Sequence, residues 1–127
     1  MREITENGIC MACRETESGI EILRAQTQLQ RVEVPAALFG RPVTALGARV
    51  FAADSEREAH RRIRTVSLPD TLEQVGDYAF YNCTDLRLLR LSDRTERWGG
   101  SCLMNCRSLR QIPGPLLRKM ISIRLLT

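Results

Sequence analysis

Residues 63–83 have the sequence IRTVSLPDTLEQVGDYAFYNC, and residues 86–106 continue in the same frame with LRLLRLSDRTERWGGSCLMNC. When positions 63–85 are aligned with 86–108, seven of the 23 pairs are identical, where ordinary composition gives about one or two by chance. A fixed period of this length is typical of stacked-repeat proteins, whose units bury their apolar sides against one another. The repeat therefore predicts a solenoid.

Each repeat begins with apolar positions that predict a short strand. Ile63, Val66 and Leu68 are spaced for burial, and Val66 and Leu68 share one face because side chains alternate along a strand. Stacked turns place equivalent strands side by side, about 4.8 Å apart, as a parallel sheet. Pro69 ends the strand because proline has no N–H to continue the ladder.

The second half of each repeat is predicted to bring the chain back. Gly76 allows a tight bend, Phe80 fills the core, and Asn82 suits a turn in which its amide bonds unpaired backbone groups. Cys83 and Cys106 hold the same repeat position, which indicates packing, since a free cysteine behaves as a small hydrophobe. The predicted structural positions of the repeats are Gly47, Phe51, Gly76, Phe80, Asn82, Cys83, Gly99, Leu103, Asn105 and Cys106.

The same frame extends beyond the two regular repeats. Residues 29–35, LQRVEVP, match residues 63–69, IRTVSLP, position by position, and Leu109 begins a fourth strand. An insertion at 36–42 interrupts the first turn and contains FGRP, whose composition predicts a turn.

A second insertion, residues 55–62, has the sequence SEREAHRR. Ser55 is followed three residues later by Glu58, a capping-box pattern that predicts a short helical turn. Because the segment has no apolar stripe, we expect it to lie on the outside, together with the only histidine, His60.

The N-terminal segment, residues 4–25, is predicted to form a β-hairpin. It closes at one of two turn signals, Asn7-Gly8 or Ser18-Gly19. Such a hairpin covers the open edge and open apolar layer of the first turn. The predicted single domain comprises an N-terminal hairpin cap at 1–28, repeats of about 23 residues at 29–112, and a C-terminal cap or tail at 113–127 that follows a Pro-Gly-Pro break.

Composition excludes some classes of protein. The length of 127 residues suits one domain, and 43% hydrophobic but only 5% aromatic residues favour many aliphatic layers. No run has the length of a membrane span, and the N-terminus has no apolar stretch of signal-peptide type, so the chain as given shows no export signal.

The net charge of +4 comes from 19 basic and 15 acidic residues, and every basic residue except Lys119 is arginine. This bias has two interpretations: a codon preference of the genome, or a surface for acidic partners. A small excess spread along the chain gives little support for nucleic-acid binding.

Residues 63–83 match the pattern LxxIxIPxxVxxIGxxAFxxC of the BspA-like leucine-rich repeats, and FGRPVTALG at 39–47 is similar to the turn GKPVTSIG of that family. The chain resembles this family over roughly residues 29–112. The turn at 86–108 departs from the pattern and is predicted to be distorted. Trp98 replaces a small aliphatic residue there, Cys102-Leu103 replaces Ala-Phe, and Arg94-Thr95 replaces a member of an apolar pair.

The resemblance implies an α/β repeat solenoid: a right-handed coil with a parallel sheet on one face and short turns, 3-10 or helical segments on the other. Family members are often bacterial or protozoan surface proteins that adhere to host matrix proteins or to other cells. The resemblance therefore implies a protein-binding module of the cell surface or of a secreted protein.

One column of basic residues is a candidate binding surface. Arg64, Arg87 and Arg110 recur every 23 residues, so stacking aligns them. They are either solvated arginines whose stems pack over the sheet, or a cationic strip for carboxylates of a partner. The predicted partner-binding residues of the strand face are Arg64, Ser67, Arg87, Leu88, Arg90 and Arg110.

The cysteines offer the one constellation with chemistry. Cys10 and Cys13 have the CxxC spacing of zinc or redox sites, and Cys102 and Cys106 are four apart. However, Cys10 and Cys13 face opposite sides of a strand, and Cys106 is explained by the repeat. Five cysteines cannot all pair within one chain. We therefore expect no metal and no cofactor.

The functional prediction is a non-enzymatic, adhesion-type module that binds a protein, such as a host matrix or cell-surface protein, along its strand face. The sequence contains no nucleophile elbow, phosphate loop or metalloprotease motif, so no catalytic residue is predicted. The alternative is a structural spacer or stalk in a larger surface protein. Neither nucleic-acid binding nor membrane insertion is expected, and the exposed end layers suit an edge-to-edge homodimer.

Overall fold

The computed structural model describes residues 1–91 and 94–110. The expected completion of the fourth strand at Gln111-Ile112 and the tail at 113–127 lie outside the described residues. The described part contains ten strands and one 3-10 helix, which is too short to span a membrane. In chain order these are β1 (Arg2–Glu6), β2 (Ile9–Glu15), β3 (Ile20–Gln26), β4 (Arg31–Glu33), β5 (Ala37–Leu38), β6 (Arg41–Leu46), η1 (Glu58–Arg62), β7 (Thr65–Ser67), β8 (Gln74–Val75), β9 (Leu88–Arg90) and β10 (Arg97–Trp98).

The first strand of each repeat joins a three-stranded parallel sheet in the order β4-β7-β9. Val32 pairs with Val66, and Val66 pairs with Leu89, so the predicted parallel ladder is confirmed in its register. All three side chains are buried, as the alternation of the strand requires.

A second sheet forms the next side of each repeat, in the order β1-β2-β3-β6-β8-β10, with β5 paired to β6. Leu46, Val75 and Trp98 are in parallel register and buried. The family resemblance implied turns or helical segments on the side away from the first sheet. That expectation was incomplete. In each repeat two residues, one buried and one facing outward, form a short strand that pairs with its equivalents in the neighbouring repeats. Within the described residues, helical structure is limited to the 3-10 helix η1.

The third side of the stack, which we call the turn side, consists of residues 48–54, 77–83 and 100–106. Every second backbone N–H there donates to a carbonyl of the following repeat, for example from Phe51 to Ala79 and from Phe80 to Cys102, both at 2.8 Å. The Phe51 and Phe80 rings are fully buried and stack with a centroid distance of 5.7 Å and an interplanar angle of 1°. Phe80 fills the core as predicted.

The glycine column of Gly47, Gly76 and Gly99 has a different role from the predicted tight bend. Neither Gly76 nor Gly99 has a positive φ. A Cβ on Gly76 would lie 2.6 Å from the Gly47 carbonyl carbon, and one on Gly99 would lie 2.5 Å from the Gly76 carbonyl carbon. Glycine is therefore needed because successive backbones touch here.

The expected distortion of the turn at 86–108 is absent from its described residues. β10 pairs in register with β8, and Trp98 lies beside Val75. The Trp98 indole N–H donates to the Thr95 carbonyl at 3.2 Å, and the Thr95 hydroxyl donates to the Leu72 carbonyl at 2.8 Å. The larger side chain is accommodated because its polar group has a partner.

The N-terminal segment is a three-stranded antiparallel meander, not a hairpin. Both turn signals are used, since β1 pairs with β2 and β2 pairs with β3. β3 then pairs in parallel with β6 of the first repeat. The Asn7 side-chain amide also donates to the Glu33 carbonyl at 3.1 Å, on the strand that begins the first sheet. Leu29, expected to match the buried Ile63, stays 41% exposed at this end.

The insertion at 55–62 is partly buried, which corrects the expectation that it lies outside. Ser55 makes no capping bond; the Asp54 carboxylate instead accepts hydrogen bonds from the backbone N–H groups of Glu56 and Arg57. Arg57 is only 6% exposed and His60 is fully buried. The sequence pattern did not indicate this burial, because the buried side chains are polar and are held by hydrogen bonds.

Candidate functional site

The outer strand face is defined here by the outward residues of β4, β7 and β9. The ladder arranges them in two rows: Arg31, Thr65 and Leu88, then Glu33, Ser67 and Arg90. Together they line a shallow concavity of about 290 Å³. A regular parallel sheet of this kind holds its outward side chains at fixed spacing, so a partner meets a preformed surface.

Backbone hydrogen bonds stack the three arginines of the predicted column on one another. Arg64 N–H donates to the Gln30 carbonyl, Arg87 N–H to the Arg64 carbonyl at 2.8 Å, and Arg110 N–H to the Arg87 carbonyl at 3.0 Å. All three arginines are exposed. Arg64 and Arg87 occupy the positions just before β7 and β9, and the concavity is lined by other residues, so the column flanks it.

The structure thus divides the predicted binding residues into two groups. Ser67, Leu88 and Arg90 lie together in the concavity, whereas the arginine column forms its border. Sequence reasoning missed Arg31 and Glu33, which the first repeat contributes. The match of LQRVEVP to IRTVSLP was the available signal, because it already placed these two residues opposite Thr65 and Ser67.

The charges of this surface favour acidic groups. The concavity and its border carry five exposed arginines, at 31, 64, 87, 90 and 110, and one exposed carboxylate, that of Glu33. Within residues 1–91 and 94–110 none of these six side chains forms an ion pair. Guanidinium groups bind carboxylates through two parallel hydrogen bonds. Exposed pairs of this kind contribute roughly 0.2–1 kcal/mol each and weaken with salt, so affinity requires several acting together.

Residues that recur in each repeat on the turn side hold one repeat to the next. The Cys83 thiol donates to the Phe51 carbonyl at 3.3 Å, and the Cys106 thiol donates to the Phe80 carbonyl at 3.1 Å. Burial raises the pKa of Cys106 to about 12, which keeps the thiol protonated as the donor. These contacts support the packing interpretation of the two cysteines.

Asn82 and Asn105 form a second ladder. Their φ angles are 62° and 67°, a left-handed region that asparagine tolerates better than most residues. The Asn105 side-chain amide donates to the Asn82 side-chain oxygen at 2.6 Å. The sequence predicted that the Asn82 amide bonds backbone groups, whereas in the structure its side-chain oxygen pairs with the equivalent asparagine of the next repeat.

The two cysteines of the CxxC sequence, Cys10 and Cys13, do not face each other. Cys10 is exposed and Cys13 is buried on the opposite face of β2, as the alternation predicted. Burial raises the pKa of Cys102 to about 12. In the described ranges, no three histidine, cysteine, aspartate or glutamate side chains are grouped to hold a metal ion.

A buried polar cluster joins the insertion to the N-terminal meander. The Arg57 guanidinium donates to the carbonyls of Ala25 at 3.2 Å, Val50 at 2.9 Å and Arg49 at 3.1 Å. It also pairs with the Asp54 carboxylate at 2.9 Å, and this hydrogen bond is the main cause that lowers the pKa of Asp54. The cluster is satisfied by the protein itself, which indicates a structural role.

His60 completes this cluster. Its Nε2 accepts from the Thr27 backbone N–H at 3.2 Å, so Nδ1 carries the proton and donates to the carbonyls of Phe51 and Ala52, both at 3.1 Å. Burial lowers the pKa of His60, because the charged form loses its hydration. A neutral histidine with both nitrogens bonded is a structural residue and not a general base.

Comparison with protein families supports the repeat assignment. A family model described as the BspA-type leucine-rich repeat region, which spans six copies of the repeat, matches residues 58–123. A comparison with curated proteins found no significant match.

Three solved bacterial structures are similar to the chain. The leucine-rich repeat protein of T. pallidum is 24% identical with a TM-score of 0.72, over 85% of this chain and 48% of that chain. A leucine-rich cell surface protein from Faecalibacterium prausnitzii A2-165 is 26% identical with a TM-score of 0.67, over 89% and 30%. A leucine-rich repeat protein from Bacteroides capillosus is 18% identical with a TM-score of 0.71, over 89% and 83%. The chain thus spans about half of the first and under a third of the second.

Proposed function

The chain belongs to the BspA-type leucine-rich repeat family, and from this we propose that it is a non-enzymatic module that binds a protein partner along its outer strand face. The observation that carries the proposal is the concavity bordered by exposed arginines that lack ion pairs within the described residues. Charged side chains held at fixed spacing, without internal partners, are available to a ligand.

The partner we propose is an acidic segment of a protein. The concavity presents Arg31 and Arg90 at opposite ends of its two rows, while Leu88 offers apolar contact beside Arg90 on β9. Glu33 adds one negative charge, which selects for a partner with at least one basic group in that position. Because a relative is a cell surface protein, we place this module at the cell surface, in an adhesion-type role.

The test is a capture experiment with three versions of the full chain. Extracts of extracellular matrix and of host cell surfaces are passed over the native chain, an Arg64/Arg87/Arg90/Arg110→Ala variant and a control variant. The control removes the same charge from exposed arginines elsewhere, through substitution of Arg14, Arg24, Arg97 and Arg107 by alanine.

The expected result is a partner that binds the native chain and the control, and that binds the strand-face variant at least about tenfold more weakly. Affinity for the native chain should also fall as salt is raised from about 0.05 to 0.5 M. Equal binding to all three versions would place the site elsewhere. If the folded native chain captures nothing, the spacer or stalk role becomes the better explanation.

A further inference from the structure

The outer edge of β1 is a strand edge with no partner among the described residues, since β1 pairs only with β2 in the second sheet. Asn7 and Gly8, with φ of 54° and 75°, form the two-residue turn between them. A turn of this type makes Glu6 and Ile9 a hydrogen-bonded pair, and such pairs alternate along the strands. The backbone groups of Glu3 and Thr5 therefore point away from β2, toward the free edge.

We propose that this edge pairs with β1 of a second copy of the chain, as antiparallel strands related by a two-fold axis at Ile4. In this register Glu3 lies opposite Thr5 of the second copy, so both residues exchange backbone hydrogen bonds. Arg2 lies opposite Glu6 of the second copy, and Glu6 opposite its Arg2. The two sheets become one continuous sheet across the dimer.

The charge pattern of REITE selects this register. In any antiparallel pairing of two β1 edges, Glu3 or Thr5 of one chain must lie opposite Glu3 or Thr5 of the other, because only these residues point their backbone groups outward. Two other registers meet this condition. One shift sets Glu3 opposite Glu3, which places like charges together. The other sets Thr5 opposite Thr5 and leaves Arg2 without an opposing residue in the strand. Only the register centred on Ile4 forms two Arg2–Glu6 pairs between the chains.

The side chains of the edge fit the same arrangement. Arg2, Ile4 and Glu6 share one face, and Ile4 on that face is half-buried against the core. A two-fold axis perpendicular to the sheet sets Ile4 against Ile4, which extends the apolar layer. Arg2 is already held at the edge, because its guanidinium lies 3.8 Å from the centre of the Phe39 ring and 3.5 Å from a Glu15 carboxylate oxygen of its own chain, in an exposed pair to which Glu6 of the second copy adds a second carboxylate.

Charged residues on a free edge usually prevent pairing between chains. Here they are self-complementary under two-fold symmetry, so the same residues favour one specific partner. A contact of five residues per chain is small, and we expect a weak dimer with a Kd of about 10–100 µM.

The experiment is sedimentation equilibrium of the full chain from about 5 to 500 µM, a range that brackets the expected Kd. Thr5→Pro removes an outward N–H without touching the ladder to β2, and proline is tolerated in this position of an edge strand. Thr5→Ala is its matched control, because it keeps the N–H. The native chain and Thr5→Ala should dimerise, whereas Thr5→Pro should remain monomeric with an unchanged circular dichroism spectrum.

Charge reversal gives a second, independent test that needs no proline. Arg2→Glu and Glu6→Arg each turn both ion pairs into repulsions, so each variant alone should raise the dimer Kd about 30-fold. A mixture of the two variants restores opposite charges at all four positions and should form heterodimers with the native Kd. The proposal is overturned by a native chain that stays monomeric up to about 500 µM, by folded Thr5→Pro that dimerises normally, or by a mixture that forms no heterodimer.

Discussion

Substitution of Gly76 by alanine should destabilise the protein severely, although it adds a single methyl group to a position without backbone strain. The new Cβ would lie 2.6 Å from both the Gly47 carbonyl carbon and the Ala48 nitrogen. An ordinary contact needs about 1 Å more, and both neighbours are backbone atoms that cannot rotate away. Two repeats must therefore separate locally, which stretches the hydrogen bond from Gly76 N–H to the Leu46 carbonyl, now 2.8 Å.

The cost follows from what this separation breaks. Overpacking costs about 1–3 kcal/mol, and the loss of one buried backbone hydrogen bond adds roughly 1 kcal/mol or more. We expect the free energy of unfolding to fall by about 3 kcal/mol and Tm by about 10 °C, measured by urea and thermal unfolding.

Gly100 provides the matched control for this measurement. A Cβ there would lie 3.9 Å from the nearest atom, an Asp77 carboxylate oxygen. Gly100→Ala should therefore change the free energy of unfolding by less than about 0.5 kcal/mol. If Gly76→Ala is as mild as Gly100→Ala, the idea that repeats touch through the glycine column is wrong.

Three further predictions concern the buried groups. The free energy of unfolding should decrease as pH falls below 6.5, the usual pKa of histidine, because the unfolded chain binds a proton that buried His60 resists; His60→Gln should flatten this part of a pH series. Arg57→Ala should cost about 3 kcal/mol in urea unfolding because its hydrogen bonds to three main-chain carbonyls and its ion pair with Asp54 are lost together, whereas Arg61→Ala, in an exposed pair, should cost less than about 0.5 kcal/mol. With a thiol reagent at neutral pH, one cysteine, Cys10, should react quickly in the folded protein, and fast labelling of all five would contradict the burial of Cys13, Cys83 and Cys102.

The first sheet could be predicted from the sequence almost completely. The 23-residue period set Val66 beside Leu89, and the heptapeptide match set Val32 beside Val66, which are the pairs observed. Periodicity succeeds here because stacked repeats repeat their contacts, so one alignment fixes a whole ladder.

The second sheet was not predicted, because its strands contribute only two residues in a repeat. Gln74 and Val75 are too few to show an alternation of polar and apolar positions. For the candidate site, Ser67 and Arg90 were named from the regular repeats, whereas Glu33 was not, although the match of residues 29–35 to 63–69 already set it opposite Ser67.

The buried insertion lay beyond sequence reasoning for another reason. Arg57 and His60 are in a run of charged residues, which normally indicates a solvated segment. Their partners are carbonyls of Ala25, Phe51 and other residues up to 32 positions away. Such contacts depend on where the meander and the first repeat come together, and no local pattern records that placement.

The hydrogen bonds of the turn side have an electrostatic consequence. Every second amide there, such as those of Phe51 and Phe80, points to the next repeat, so the dipoles of these peptides add along the stack as they do along an α-helix. Their partial negative end falls on the first repeat, where the Val50 carbonyl, in the same peptide as the Phe51 N–H, accepts a hydrogen bond from the Arg57 guanidinium at 2.9 Å. This permanent cation terminates the dipole as lysine or arginine does at a helix C-terminus. The stack therefore has an electrostatic polarity from its first repeat toward its last, whatever its net charge.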